Sequence, residues 1–243
     1  MEYKADTHMH SIYSYDGQMR LEDMIRKGEK LGLEYMAFTE HLELGQITIK
    51  QFLNRYKVYS REIDELQEKY PHIKLIKGLE FTNPEKYPKE LEIVNGLDID
   101  YIIGSNHELP HKQDEREILE YYKKVLMIVK NGGIDSLGHM DYLRRKYDDT
   151  ISDDIIREIY SYLIANNIAL EINSSAVRRK GLDSFPSDEK IKLYQECGGD
   201  KVTIGSDAHR LEEIYDAIPS IDSKYSLNKG LYLKRKFVSL SNK

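Results

Sequence analysis

Hydrophobic and polar positions along the chain alternate between amphipathic helical patterns and short apolar runs. Apolar residues recur at helical spacing from Leu21 to Leu31, and Gly32 is a natural helix end. The same period predicts a long helix across residues 49–69. Further helical patterns cover residues 118–129 and 155–164, and Ser187 is a good N-cap for another helix.

Short apolar runs between these helices have the length and composition of strands. The runs lie at residues 2–6, 35–39, 73–79, 101–105, 135–138, 168–172 and 201–205. The segments between them are long enough to connect parallel strands. About seven strands separated by helices therefore predict a single α/β domain over residues 1–243, with a parallel sheet closed or nearly closed into a barrel.

Composition and charge narrow the class of protein. The 243 residues are 40% hydrophobic and 32% charged, which is typical of a globular domain with a substantial core. A net charge of −6 argues against a nucleic-acid partner bound through a bulk positive field. The single cysteine, Cys197, excludes an intrachain disulfide. No stretch resembles a signal peptide or a membrane span, so we expect a cytoplasmic protein with no membrane partner, and the oligomeric state stays open.

Histidines are concentrated at the ends of the predicted strands. His8 and His10 lie two positions apart at the tail of the first predicted strand, so we expect their side chains to point the same way. Glu80 and Asp207 occupy equivalent places on their own strands. Because the carboxyl ends of parallel strands meet at one rim, we expect these side chains to converge there. Six of the eight histidines follow this rule, namely His8, His10, His41, His107, His139 and His209.

Imidazole and carboxylate ligands together suit Zn, Mn or Fe, whereas Mg and Ca sites are dominated by oxygen. With Asp16 in the loop after the first strand, the candidate ligands number nine, and one tetrahedral ion takes four. We therefore expect two to three divalent metal ions. Multinuclear sites of this kind activate water at neutral pH and stabilise both oxygens of a phosphoester displacement. The pattern indicates metal-assisted hydrolysis of a phosphate ester.

Five short motifs follow one another in the chain. They are Asp6-Thr7-His8-Met9-His10, Thr39-Glu40-His41, Gly104-Ser105-Asn106-His107, Gly138-His139-Met140-Asp141 and Gly205-Ser206-Asp207-Ala208-His209. Their order and spacing resemble the PHP family, the polymerase and histidinol phosphatase metallo-phosphoesterases. Glu40 stands where the family usually has aspartate. The resemblance covers essentially the full length and implies a distorted seven-stranded, TIM-like (β/α) barrel with up to three metal ions on its rim.

The resemblance also implies how the ligands divide among the ions. The first ion would be held by His8, His10, Glu80 and Asp207, the second by Glu80, His107 and His139, and the third by Asp16, His41 and His209. Members of the family have either His or Asp at the position of Asp16. His209 and Asp207 would act in catalysis together with Arg178. A protonated His209 would stabilise or protonate the leaving alkoxide.

Within the family, the segment from Glu171 to Arg178 is similar to the histidinol-phosphatase branch. There an arginine after the sixth strand binds the substrate phosphate, which suits the bidentate geometry of a guanidinium group. Arg178 matches that arginine, and Arg145, Arg210 and Arg144 are further candidates. The implied reaction is attack of a metal-bound hydroxide on L-histidinol phosphate, giving L-histidinol and phosphate in histidine biosynthesis. Glu43 and Glu108 are candidates to meet a cationic part of that small phosphorylated substrate.

Two other functions remain open at this point. The first is a PHP-type phosphoesterase that acts on another phosphomonoester or on an oligonucleotide, although the acidic charge and the lack of a basic aromatic groove argue against the oligonucleotide. The chain would alternatively be a non-catalytic metal-binding module. The complete ligand set argues against such a module, which we expect to lack one or more ligands.

Overall fold

Helices and strands alternate in the computed structural model, which describes residues 2–179 and 182–240. The described residues form seven α-helices: α1 (Leu21–Leu31), α2 (Ile49–Lys69), α3 (Pro88–Asn95), α4 (Glu115–Asn131), α5 (Asp153–Ala165), α6 (Asp188–Glu196) and α7 (Ile218–Lys224). The strands are β1 (Ala5–Asp6), β2 (Tyr35–Leu42), β3 (Lys74–Thr82), β4 (Tyr101–Ser105), β5 (Ser136–Leu137), β6 (Ala169–Asn173), β7 (Lys201–Gly205), β8 (Asn228–Leu233) and β9 (Lys236–Ser239).

Local sequence signals set the helix ends. Gly32 follows α1 with φ at 74°, a left-handed conformation that glycine adopts at little cost. α2 begins with a capping box in which Thr48 and Gln51 each accept the other's backbone N–H. The Ser187 side chain accepts the N–H of Lys190 at the start of α6, as its sequence predicts.

One sheet runs through the molecule in the order β1-β2-β3-β4-β5-β6-β7-β8-β9. Neighbours from β1 to β8 pair in parallel, and β8 and β9 form an antiparallel hairpin. The α/β architecture is confirmed, with nine strands among the described residues instead of the roughly seven predicted. The elements α3, α7, β8 and β9 have no counterpart among the predicted ones.

The sheet is not closed, but the segment after β1 approaches β7. The Thr7 N–H donates to the carbonyl of Ile204 over 3.2 Å, and the Asp207 N–H donates to the carbonyl of His8 over 2.7 Å. Met9 also forms a single parallel bridge with Ala208. These contacts bring the segment after β1 against the end of β7.

Apolar faces of the helices cover the sheet. Met24 and Ile25 of α1 and Val125 of α4 are fully buried, as are Ile103 and Ile204 on the strands. Burial of this apolar surface is the main favourable contribution to folding. No helix among the described residues combines the length and the apolar character that a membrane span requires. The carboxyl ends of the strands are held at one edge of this core, where their polar residues can meet.

Candidate functional site

Side chains from the strand ends surround one cavity of about 630 Å³. His8 and His10 lie beneath its floor and are fully buried. The other seven predicted metal ligands line the cavity: Asp16, His41, Glu80, His107, His139, Asp207 and His209. All nine side chains therefore meet at one rim, although they are spread over 200 positions of the sequence.

Glu80, at the end of β3, lies in the middle of this group. Its Oε1 is 2.8 Å from His139 Nε2 and 3.0 Å from His107 Nε2. Its Oε2 is 3.0 Å from His41 Nδ1. Burial alone would raise the pKa of Glu80, but the charges of His107, His8 and His41 hold it well below its usual value. The carboxylate is thus ionised and faces several imidazoles.

His8 and His10 direct the same ring nitrogen to a single point. Their Nε2 atoms are 3.0 Å apart, and Asp207 Oδ1 lies 3.2 Å from His10 Nε2. Asp207 has φ at 54°, an uncommon backbone conformation for a non-glycine residue. The bond between its N–H and the His8 carbonyl holds the carboxylate in this place.

Three sets of side chains bring one ligand atom each within 4.8 Å of one another. The sets are His8, His10 and Asp207; His8, Glu80 and His139; and His10, His41 and His209. Among the described residues, His139 Nδ1 is buried without a hydrogen-bond partner, and Glu80 Oε2 and His41 Nδ1 are buried 3.0 Å apart without forming a hydrogen bond. Buried polar atoms of this kind cost free energy unless something binds them. The nitrogen and carboxylate donors therefore fit divalent metal ions.

Asp16 reaches the same group from the loop after β1. Its carboxylate oxygens lie 3.4 Å from His41 Nε2 and 3.3 Å from His209 Nε2. Burial would raise the pKa of Asp16, but hydrogen bonds from His209 and His41 hold it below its ordinary value. Its side chain is 39% exposed, more than that of any histidine it contacts. Asp16 therefore stands at the open side of the cluster.

Glu171 is a buried carboxylate of β6 for which the motifs gave no role. Its Oε1 is 2.5 Å from His8 Nδ1, and its Oε2 accepts the backbone N–H of His139 over 2.8 Å. A carboxylate bound to one ring nitrogen fixes the proton there and turns the lone pair of the other nitrogen outward. Glu171 thus orients His8 and places His139 at once. A charged residue inside an otherwise apolar strand was the sequence signal for this role.

Glu40, the variant residue of the second motif, points away from the cavity. Its carboxylate accepts the hydroxyls of Ser11 and Ser14, each over 2.6 Å. Ser14 Oγ in turn accepts the N–H of His41 over 3.0 Å and lies 3.2 Å from His10 Nδ1. Burial raises the pKa of Glu40, and the serine hydrogen bonds only partly oppose this. Glu40 therefore holds the loop that supports two of the histidines.

Four arginines line the cavity, namely Arg145, Arg178, Arg179 and Arg210. Arg178 Nη2 donates to the carbonyls of Ser206 and Asp207 over 3.0 and 3.3 Å. Arg145 lies over the ring of Tyr142 at 4.6 Å. Burial and the nearby Arg179 charge lower the pKa of Arg145. This wall of the cavity thus carries positive charge suited to an anion.

The structure changes which of the arginines are candidates for phosphate binding. Arg144 does not line the cavity, because its guanidinium binds Asp183 and the carbonyl of Ser184, each over 2.7 Å. It was a further candidate for phosphate binding, and this assignment is wrong. Arg179 lines the cavity although no motif identifies it. In the sequence, Arg179 is only a second cation directly after Arg178, and such a residue cannot be distinguished from an ordinary surface charge.

The PHP domain family model matches residues 6–175. A probable histidinol-phosphatase of Thermotoga maritima is 30% identical over 222 residues, covering 89% of this chain and 88% of that protein. A histidinol-phosphatase of Lactococcus lactis is 29% identical over 228 residues, covering 85% and 84%. A crystal structure of histidinol phosphate phosphatase from Lactococcus lactis, complexed with zinc, L-histidinol and phosphate, superposes with a TM-score of 0.80 at 23% identity, covering 98% of this chain and 99% of that one. That structure and this chain share a fold.

Proposed function

The chain belongs to the PHP domain family, and on that premise we propose that it hydrolyses L-histidinol phosphate to L-histidinol and phosphate. It is a metal-dependent phosphoric monoester hydrolase. The observation that carries this function is one cavity that is lined by seven of the nine predicted metal ligands, with His8 and His10 buried beneath it and four arginines on its wall. The names of relatives that align over most of their length support the same substrate.

Two to three ions of Zn, Mn or Fe would occupy the floor. His8, His10, Glu80 and Asp207 would hold the first, Glu80, His107 and His139 the second, and Asp16, His41 and His209 the third. Bound there, divalent ions supply Lewis acidity toward phosphate oxygens and a hydroxide nucleophile at neutral pH. Glu171 and Ser14 support this set, since each contacts a ring nitrogen that faces away from the cavity.

Arg178 would bind the substrate phosphate, with Arg145 and Arg210 beside it. Hydrogen bonds from Arg178 Nη2 to two carbonyls fix the guanidinium, and its Nη1 has no partner among the described residues. A guanidinium held in this way leaves the N–H groups of Nη1 to donate charge-assisted hydrogen bonds to a phosphate oxygen. Because Arg178 lies next to Asp207, a phosphate bound there would lie near the metal ligands.

His209 would provide the proton for the departing alkoxide. Its Nδ1 lies 3.0 Å from the Asp207 carbonyl, so the ring presents Nε2 to the cavity and to Asp16. Burial lowers the pKa of His209, but Asp16 and Asp207 raise it above its ordinary value. A protonated imidazole at the cavity wall is a suitable general acid. His209 would have this role only where the third ion is absent, because a bound ion would take the place of the proton.

We also propose that residues 1–243 form one domain whose first seven strands make a distorted barrel. The bridge between Met9 and Ala208, together with the bonds of Thr7 and Asp207, supports this shape. The superposition over 98% of the chain supports a single domain.

The test is phosphate release from L-histidinol phosphate, other phosphomonoesters and short oligonucleotides by metal-loaded protein. We expect a strong preference for L-histidinol phosphate, with activity lost on chelation and restored by metal. Release from other monoesters only would keep the chemistry and discard the substrate. No release from any compound, with metals bound, would favour a non-catalytic module.

A further inference from the structure

Carboxylates on the cavity wall differ in how they are neutralised. Five line the cavity: Asp16, Glu43, Glu80, Asp207 and Glu213. Asp16, Glu80 and Asp207 each face at least two imidazoles. Glu213 accepts the N–H groups of His209 and Arg210 and lies 3.9 Å from Arg178 Nε.

Glu43 is the exception. Among the described residues, its carboxylate has a single partner, the hydroxyl of Tyr15, which donates to Oε2 over 3.1 Å. The Tyr15 ring stacks on His41 with centroids 5.0 Å apart and planes at 23°, and it is 53% exposed. Glu43 thus carries an uncompensated negative charge held at the cavity wall by an aromatic residue next to the metal floor.

Glu43 and the arginines reach the cavity from different strands. Glu43 directly follows β2, whereas the arginines come from segments after β5, β6 and β7. A phosphate drawn to the arginines would leave the rest of the substrate free to approach Glu43. The other acidic candidate, Glu108, is already paired with Lys86 and Lys124 and lies outside this cavity.

We propose that Glu43, oriented by Tyr15, binds the protonated amine of the substrate and selects phosphomonoesters whose alcohol carries an ammonium group. A carboxylate and an ammonium form a charge-assisted hydrogen bond, which is stronger than a neutral one. The inference deepens the proposed function and rests on it for the identity of the alcohol. Glu43 is a specificity-determining residue here, and the metal ligands do not depend on it.

The test uses Glu43→Gln and two substrates that differ only in the amine, L-histidinol phosphate and 3-(imidazol-4-yl)propyl phosphate, at pH 7.5. We expect kcat/KM for L-histidinol phosphate to fall about tenfold or more, mainly through KM, which corresponds to one lost charged contact. The same variant should hydrolyse the deaminated ester as wild type does, within about twofold. Glu108→Gln is the matched control and should leave both substrates unchanged.

Two outcomes would overturn the inference while the proposed function stands. An equal loss on both esters would mean that Glu43 supports the site without touching the amine, and no loss on either would remove Glu43 from recognition. If wild type hydrolyses neither ester, the proposed function fails, and the role of Glu43 is then tested by measuring how tightly the alcohols bind. Calorimetry on metal-loaded protein would then compare L-histidinol with 3-(imidazol-4-yl)propan-1-ol, and equal affinity of wild type and Glu43→Gln for L-histidinol would refute the inference.

Discussion

The floor and the arginine wall of the cavity are built in opposite ways. On the floor, His8 is fully buried and has contacts on both ring nitrogens, with Glu171 on one side and His10 on the other. On the wall, Arg145, Arg179 and Arg210 are exposed, and Arg178 is fixed mainly by backbone carbonyls. The floor is therefore preorganised by the core, whereas the wall depends on loops.

This difference separates two kinds of loss. A change on the floor leaves several buried polar partners unsatisfied and should disturb metal binding. A change on the wall removes charge near solvent and should affect substrate binding while the metals stay in place.

The largest effect should follow His107→Ala or His139→Ala, because both imidazoles contact Glu80 Oε1 on the floor. We expect turnover of L-histidinol phosphate to fall by about a thousandfold or more, the equivalent of several kcal/mol of lost transition-state stabilisation. Metal content should fall, and the circular dichroism spectrum should stay that of the folded protein. Unchanged activity in either variant would contradict the second metal site.

Glu171→Gln should weaken metal binding without removing a ligand. Glutamine keeps the shape of the side chain, but an NH₂ group replaces one of the two carboxylate oxygens. The remaining oxygen can accept a hydrogen bond from His8 Nδ1 or from the His139 N–H, but the NH₂ group cannot accept the other. We expect metal affinity to fall about 10–100-fold, the usual effect of losing such a supporting contact. Competition with a chromophoric chelator measures it.

Glu40→Gln is the comparison variant, because Glu40 is also buried but contacts serine hydroxyls. It should cost metal affinity less than Glu171→Gln does. Equal effects of the two variants would mean that burial of a carboxylate, and not its contact with imidazole, matters.

Arg178→Ala and Arg144→Ala should separate substrate binding from stability. We expect Arg178→Ala to lower kcat/KM about 10–100-fold with metal content unchanged, since one charged phosphate contact contributes about 1.5–3 kcal/mol. Arg144 binds Asp183 and the Ser184 carbonyl outside the cavity, so its removal should cost about 1–2 kcal/mol of unfolding free energy and no activity. Loss of metal from Arg178→Ala would contradict the claim that changes on the wall leave metal binding on the floor intact.

The same contrast explains what the sequence can predict. Residues such as His8 and Glu80 sit at strand ends, and strand ends of a parallel sheet converge whatever the loops do. Arg144 and Arg145 are neighbours on one short turn, yet only Arg145 faces the cavity. The partner that turns Arg144 away, Asp183, lies 39 positions further along the chain, so no local pattern reveals it.

The missed elements have a similar cause. β8 and β9 pair only with β7 and with each other, and their polar residues resemble a solvated tail in sequence. Arg235 between them binds Asp135 over 2.5 Å, a contact that spans 100 positions. Glu171 was visible as a charge within a strand, but its two partners, His8 and His139, lie just after β1 and β5 and become evident only in three dimensions.

The smallest effect concerns protons, and it again distinguishes floor from wall. Burial lowers the pKa of His41, but the carboxylates of Glu80 and Asp16 outweigh it and raise the pKa to about 10. Metal-free His41 is therefore protonated at pH 7, and a metal ion must displace that proton. Below that pKa, metal affinity should rise by about tenfold per pH unit for each proton displaced. Arginines on the wall keep their charge throughout and contribute nothing to this slope.

Calorimetric titration of zinc into metal-free protein, in two buffers of different ionisation enthalpy, would measure the number of protons released on metal binding. We expect the His41→Ala variant to release at least one proton fewer than wild type. A heat of binding independent of the buffer would mean that the floor histidines are already neutral, and that their carboxylate neighbours do not control metal uptake.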